Sequence, residues 1–236
     1  MKPLALLALS SLLAVPAFAQ ADTVEVETSK VNITFHISHP AKEFDSFLTP
    51  DGGLGVITLD PKAMENTKAK FTIKVDHFNS DNTRRDSHMI ETMEALVFPT
   101  IEWDVQSVDG ATGPWTPGVH SFRAKGPIQI HGVTKELEVP VEITVGGKGE
   151  ITFGSNFSVA LEEFEIERPT LVFVPIENDV PVIVKVDTKP NPALLAAAAE
   201  PVAADSPPAE AGEEGAEEAA PAKSDAETVE EPAKNE

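Results

Sequence analysis

Residues 119–145 read VHSFRAKGPIQIHGVTKELEVPVEITV, two alternating runs on either side of a His131-Gly132 turn. In the second run, apolar residues at 137, 139, 141, 143 and 145 alternate with glutamates at 136, 138 and 142. Period-two alternation is typical of a β-strand with one buried face. Each run allows about 12 residues, roughly 40 Å, which exceeds an ordinary strand. Such long strands favour a barrel of tilted strands over a sandwich, although alternation alone fits both.

The same alternation recurs elsewhere between residues 30 and 186. Turn-forming pairs separate the runs, among them Asp109-Gly110, Gly113-Pro114 and Gly146-Gly147. Together the runs predict an all-β fold, an eight-stranded antiparallel barrel with one short helix at one end. The six further strands are predicted in segments 30–38, 55–60, 70–75, 101–105, 157–161 and 182–186.

One stretch, from Arg85 to Val97, breaks the strand pattern. Its larger apolar residues follow helical spacing, at Met89, Met93 and Leu96. Thr83 and Asp86 form a weak relative of the capping box at its start, and Pro99 follows its end. This stretch is therefore the predicted helix.

Residues 1–19 read MKPLALLALSSLLAVPAFA and have the pattern of a secretory signal peptide. A single basic residue, Lys2, precedes a short apolar run, and Ala17 and Ala19 form an A-x-A cleavage site. The run is shorter than the roughly 20 residues that a spanning helix needs. We expect a mature chain that begins at Gln20, lacks a transmembrane segment and is periplasmic or secreted.

Residues 189–236 have a different composition, with seven prolines, twelve acidic residues and three lysines. The segment has no aromatic residue and few large aliphatic ones, so it buries too little apolar surface to offset its ordering entropy. We expect a disordered acidic Ala/Glu/Pro-rich tail whose removal leaves stability nearly unchanged. A solubilising appendix and an interaction arm both fit this composition. The folded domain is then residues 20–188.

Composition and motifs exclude several classes of protein. The chain has no cysteine, which rules out disulfides and thiolate metal sites. A net charge of −21 without a basic patch argues against a nucleic-acid partner. No nucleophile elbow, phosphate-binding loop or dinucleotide fingerprint occurs, so we predict a protein that is not an enzyme, without catalytic residues.

Six histidines raise the question of a metal site. They lie at positions 36, 39, 77, 88, 120 and 131, and no pair has the spacing of a known metal motif. His36 and His39 are three apart on a strand, which places them on opposite faces. We therefore predict no metal site, although ligands from separate strands remain an alternative.

Five short motifs occur in order along the chain: FHISH at 35–39, GVITLD at 55–60, RDSHM at 85–89, FPTI at 98–101 and GPIQIHGVTK at 126–135. Together they resemble the YceI-like family of bacterial polyisoprenoid-binding proteins. The resemblance spans about residues 24–187 and implies an exported, lipocalin-like barrel with a long apolar cavity for an isoprenoid or similar amphiphile.

The inward faces of the predicted strands supply the candidate ligand-binding residues. An eight-stranded barrel can also be filled by its own side chains, so a solid core is the alternative reading. The predicted lining is Ile33, Phe35, Ile37, Phe71, Ile73, Ile101, Trp103, Ile128, Ile130, Val141, Ile143, Phe157 and Val159.

Two polar residues are candidates for the mouth of the barrel or for contact with a ligand headgroup. His39 ends a strand, and the fork of Arg85 matches phosphate geometry. A structural alternative places Asp86 at the positive end of a helix dipole with Arg85 paired to a neighbour. The two tryptophans have contrasting contexts, because Trp103 lies on an apolar strand face and Trp115 lies in a Gly/Pro-rich loop.

The resemblance implies a carrier of an isoprenoid, such as a quinone side chain or polyprenyl lipid, for transport, storage or sequestration. The lipid would be a ligand, and no other cofactor is expected. Two other hypotheses stay open: an extracytoplasmic hydrolase or isomerase acting on such a lipid, and a non-catalytic adhesion or scaffold domain. A homodimer also stays open.

Overall fold

The computed structural model describes residues 23–199, which form thirteen strands and two α-helices. Short 3-10 helices cover Val75–His77 and Leu161–Phe164. The helices are α1, Thr83–Thr92, and α2, Pro192–Ala199. The strands are β1 (Val24–Ile37), β2 (Phe44–Leu48), β3 (Gly53–Asp60), β4 (Ala63–Lys74), β5 (Phe78–Asn79), β6 (Thr100–Val105), β7 (Ser107–Asp109), β8 (Gly118–Ile130), β9 (Val133–Val145), β10 (Ile151–Ala160), β11 (Thr170–Leu171), β12 (Val174–Pro175) and β13 (Asp179–Thr188).

Eight of these strands close into an antiparallel barrel, which confirms the predicted fold class. Their order is β13-β10-β9-β8-β6-β4-β3-β1, and β1 pairs back with β13 to complete the circle. The 14-residue β1 is long because it pairs along one edge with β13 and along the other with both β2 and β3. Barrel closure leaves the backbone groups of these strands paired with neighbours.

The long hairpin predicted between residues 119 and 145 is formed by β8 and β9. The two strands pair in continuous register from Gly118 with Val145 to Ile130 with Val133. Its turn residues, His131 and Gly132, both have positive φ, the pattern of a type I′ hairpin turn. A Cβ at Gly132 would lie 2.5 Å from the Phe98 ring, so only glycine fits there.

One end of the barrel is closed by a buried cluster built partly from residues outside the strands. Trp115, 1% exposed, lies in the loop before β8, and its backbone N–H donates to the Pro61 carbonyl at 3.1 Å. Leu194 of α2 is 0% exposed and belongs to the same cluster, with Leu59 and Ile151. Trp103 lies on a strand and Trp115 in a loop, as the sequence indicates, and the loop residue Trp115 is the more deeply buried of the two.

The position of α2 corrects the predicted start of the disordered tail at residue 189. The Asn191 N–H donates to the Gly149 carbonyl at 3.2 Å, which ties the start of α2 to the β9–β10 turn. A Cβ at Gly149 would collide with the Asn191 carbonyl, so the two backbones approach closely. Residues 192–199 thus dock on the barrel through the buried Leu194, with Leu195 and Ala198 partly buried against the same cluster. The remainder of the predicted tail lies outside the described residues.

The helix α1 differs from the predicted helix 85–97 at both ends. It begins at Thr83, where the Asn82 side chain caps it by accepting a hydrogen bond from the Arg85 N–H. It ends at Thr92, and Glu94 adopts a positive φ of 44°. The helix therefore stops well before Pro99. Leu96 is 99% exposed and does not extend the apolar face of the helix.

No helix within residues 23–199 is long and apolar enough to cross a membrane. The predicted signal peptide, residues 1–19, lies outside the described residues, and its cleavage stays a prediction.

Burial of Leu194 leads to a stability prediction. Leu194→Ala should lower the free energy of unfolding by about 2–5 kcal/mol, because it removes a buried aliphatic group and leaves a cavity. The matched control, Leu96→Ala, makes the same change at a 99% exposed position and should stay within about 0.5 kcal/mol. Urea unfolding measures both. Equal effects of the two substitutions would contradict the docking of α2.

Candidate functional site

A cavity of about 810 Å³ occupies the other part of the barrel interior. Inward side chains of the barrel strands form its walls, and residues of α1, of the β1–β2 connection and of the segment before β13 border it. Twelve of the thirteen predicted lining residues border the cavity: Ile33, Phe35, Ile37, Phe71, Ile73, Ile101, Trp103, Ile128, Ile130, Val141, Phe157 and Val159. Their role as ligand-binding residues stays a prediction.

The thirteenth predicted residue, Ile143, does not border the cavity. It is 0% exposed and packs in the cluster that contains Trp115 and Leu194. Alternation assigned Ile143 correctly to the inner face of β9. Alternation carries no information about depth along the barrel axis, however, and Ile143 lies at the filled level.

Several large inward side chains around the cavity retain solvent-accessible surface. Phe35, Phe71 and Trp103 face the lumen and are only half-buried, whereas inward residues of the closed end, such as Leu59, are fully buried. An inward apolar side chain that stays accessible lacks a packing partner across the barrel. The interior is therefore filled at one end and hollow at the other.

Aromatic contacts fix part of the cavity wall. The rings of Phe71 and Trp103 are stacked with centroids 6.0 Å apart, and the Trp103 indole N–H donates to the Gly126 carbonyl at 3.3 Å. Phe35 and Phe78 meet edge to face at 5.1 Å. These contacts leave Trp103 in one defined orientation against the cavity.

The sequence analysis missed several lining residues. Phe153 continues the inward alternation of Phe157 and Val159 on β10, so a longer reading of that strand would have found it. Val182 and Val184 lie on a strand that was predicted but was not assigned to the lining. Residues from connections, such as Pro169 and Ile176, follow no periodic pattern and had no signal in the sequence.

His39 borders the cavity, and both of its ring nitrogens form hydrogen bonds with backbone groups. Its side chain is 5% exposed. Nδ1 accepts a hydrogen bond from the Ala41 N–H at 3.0 Å, so Nε2 carries the proton and donates to the Val174 carbonyl at 3.1 Å. His39 therefore joins β12 to the β1–β2 connection, and its ring nitrogens are committed to that contact.

Arg85 borders the cavity from α1. Its Nε donates to the Ser80 hydroxyl at 3.1 Å and its Nη2 donates to the Ser80 carbonyl at 2.6 Å. The guanidinium lies over the Phe44 ring, 4.5 Å from its centroid, a cation–π contact. Asp86 accepts from the Ser80 N–H and hydroxyl at 2.9 and 2.6 Å. The Ser80 contacts use two of the five N–H donors that a guanidinium carries.

The charged residues that border the cavity are mostly basic. Lys42, Arg84 and Arg85 line it, and Asp86 is its one lining carboxylate within residues 23–199. This balance is opposite to that of the whole chain, whose net charge is −21. Because Ser80 holds the Asp86 carboxylate, the basic side chains are the groups available to attract an anion at the mouth.

Acidic side chains elsewhere serve structural contacts. On the outer face of β9, the hydrogen bond and positive charge of Arg123 lower the pKa of Glu138. Glu162 pairs with Arg168 at 2.8 Å beside the cavity-lining segment. Within residues 23–199, no three His, Asp or Glu side chains converge in a way that could hold a metal ion.

Comparison with solved structures supports the same fold. Over 67% of this chain and 96% of the other, the protein is similar to BcnA of Burkholderia cenocepacia, with 14% identity and a TM-score of 0.58. It is also similar to a polyisoprenoid-binding domain from Saccharophagus degradans that is implicated in plant cell wall breakdown. That match has 12% identity and a TM-score of 0.56, and covers 73% of this chain and all of the other. Identities this low carry information about the fold alone.

No curated protein matched this sequence. The model of one family, the YceI-like domain, matches residues 23–188, which include all thirteen strands. The match covers well over half of the sequence and coincides with the barrel. The chain therefore belongs to the YceI-like domain family.

Proposed function

We propose that this protein is an exported, non-catalytic carrier that holds an isoprenoid or similar amphiphilic lipid in its barrel. The observation that carries the proposal is the apolar cavity of about 810 Å³ at one end of an otherwise filled barrel. The family and the polyisoprenoid-binding domain of similar fold support a lipid ligand. Transport, storage and sequestration are the roles that such binding would serve.

The energetics of burial favour a chain-like apolar ligand. Burial of each CH₂ group contributes about 0.8 kcal/mol, so roughly 20 carbons gain on the order of 16 kcal/mol before association costs. The cavity volume falls in the range of sites that enclose small molecules. An isoprenoid meets these conditions without any specific polar contact along its chain.

The distribution of charge gives the ligand a direction. The basic residues that border the cavity come from α1, which supplies Arg84 and Arg85, and from the β1–β2 connection, which supplies Lys42. The barrel strands contribute mostly apolar side chains to the cavity walls. A lipid with an anionic or strongly polar head would place that head at the mouth and its tail inside. Arg85 is our candidate headgroup contact, because a guanidinium fork suits phosphate oxygens.

The composition of the lining argues for binding and against catalysis. Acid–base chemistry with two carboxylates would require a pair of them in the cavity, and Asp86 is the one carboxylate among the described lining residues. That carboxylate accepts two hydrogen bonds from Ser80. A hydrolase or isomerase is therefore the weaker alternative. A scaffold domain offers no reason for a hollow interior.

Export is tested by intact-mass measurement of protein from the periplasm or culture medium of its host. We expect the mass of a chain that begins at Gln20, because the A-x-A pattern ends at Ala19. Exported protein that retained residues 1–19 would contradict this part of the proposal.

Ligand uptake can be followed through Trp103 in a Trp115→Phe background. Addition of farnesol should change the Trp103 emission saturably, because that indole borders the cavity. Phe157→Arg places a charge in the lumen and should abolish the response, because an apolar tail that entered the cavity would have to bury that unpaired charge. The matched control, Phe47→Arg, changes a residue that is 47% exposed and should respond normally. A folded protein whose emission ignores farnesol would contradict the carrier function.

The headgroup contact is tested with Arg85→Ala. We expect this variant to bind farnesyl diphosphate about tenfold more weakly and farnesol nearly unchanged, because a charge-assisted hydrogen bond is lost. Arg123→Ala removes an arginine that pairs with Glu138 on the outer face and serves as the control. Equal weakening of both ligands, with lower stability, would assign Arg85 a structural role through Ser80 alone.

A further inference from the structure

A short hairpin beside the cavity exposes apolar side chains at its tip. Strands β11 and β12 pair through Thr170 with Pro175 and Leu171 with Val174, which leaves Val172 and Phe173 as the turn. Phe173 is 100% exposed and Val172 is 73% exposed. The stretch 170–176, TLVFVPI, contains no charged residue.

The turn is made from residues that are poorly suited to it. Val172 and Phe173 have φ of 51° and 67°, the left-handed values that a type I′ turn requires at both positions. Asn-Gly is the favoured pair in such turns, and a β-branched residue with positive φ is unfavourable. Turn geometry therefore does not account for the choice of two apolar residues here.

The base of the hairpin is fixed by contacts with the β1–β2 connection and by a contact between its own two flanking segments. His39 Nε2 donates to the Val174 carbonyl at 3.1 Å, and Arg168 Nη1 donates to the Ile176 carbonyl at 2.9 Å. The Glu177 N–H donates to the Ser38 carbonyl at 2.9 Å. The tip is therefore held in solvent by an anchored base.

The hairpin is continuous with the cavity. The cavity is bordered by Thr170, Leu171 and Ile176 of this segment. The two residues that directly follow Leu171, Val172 and Phe173, are exposed. The same segment thus joins the apolar lining to an apolar protrusion. A second exposed apolar pair, Leu96 at 99% and Val97 at 68%, follows α1, whose residues also border the cavity.

We propose that the tip of this hairpin inserts into the surface of a lipid bilayer, where it delivers or collects the ligand. The inference rests on the proposed carrier function, since an isoprenoid outside the protein resides in a membrane. The size of the tip favours a bilayer over a protein partner: four exposed apolar residues, 171–174, compare with about 20–30 residues per side in a stable protein interface. A small uncharged protrusion can enter the interfacial region of a bilayer without a complementary surface.

The test replaces the tip with the turn sequence that the geometry prefers, Val172→Asn together with Phe173→Gly. Because Asn-Gly favours a type I′ turn, the variant should unfold at the same or a higher urea concentration. The partition coefficient of the mature protein, residues 20–236, into phosphatidylcholine vesicles, measured by flotation, should fall about tenfold or more, the ratio expected when a buried Phe side chain is lost. Transfer of farnesol from vesicles to Trp103 should slow accordingly.

Val119→Asn serves as the control, because Val119 is 64% exposed and pairs with Thr144 near the β9–β10 turn, at the closed end. It should float as the wild type does. Wild-type protein that does not float, or an Asn-Gly variant that floats equally well, would overturn the proposal. So would a dimer in sedimentation velocity that the Asn-Gly change dissociates, since the tip would then bind a second copy. Uptake of farnesol without vesicles is measured separately, and its failure would overturn the carrier function whatever the flotation result.

Discussion

The pairing of β1 with β13 is the contact on which the cavity depends. Seven residue pairs, from Thr28 with Thr188 to Phe35 with Val182, close the sheet on itself. Without this seam the sheet would have two open edges, and its apolar inner face would be exposed to water. Closure with eight strands also fixes the diameter, at a size where side chains either fill the interior or leave room for one small ligand.

This barrel is filled by side chains at one end and hollow at the other, and residues outside the barrel strands account for that difference. At the closed end, Trp115 from a loop and Leu194 from α2 add bulk that the inward strand residues lack. At the other end, α1 and the segment 161–176 border the cavity without filling it. The cavity thus results from where the connections place their large side chains.

Periodicity predicted the eight barrel strands and their inward faces, because alternation is a local property of the chain, and strand length then favoured a barrel over a sandwich. It placed Phe35, Trp103 and Ile130 correctly toward the interior. It could not separate Ile143 from them, since depth along the axis depends on which distant residues fill each level. Leu194 was missed for the same reason. Two adjacent leucines followed by alanines have no periodic signal, and the burial of Leu194 is set by contacts with the barrel.

The contact of His39 with β12 was also beyond sequence reasoning, because it joins residues that are far apart in the chain. The bond between His39 and the Val174 carbonyl spans 135 residues. The Ala41 N–H and the Val174 carbonyl occupy both ring nitrogens of His39, so the ring joins the β1–β2 connection to β12. Its position at the end of a strand predicted a place at the barrel mouth or a headgroup contact. Two of the five N–H donors of Arg85 bind Ser80, and its guanidinium borders an apolar cavity whose charged lining residues are mostly basic. Arg85 and the hairpin that carries Val172 and Phe173 border the same cavity, so the proposed headgroup contact and the proposed membrane contact fall on one side of the barrel.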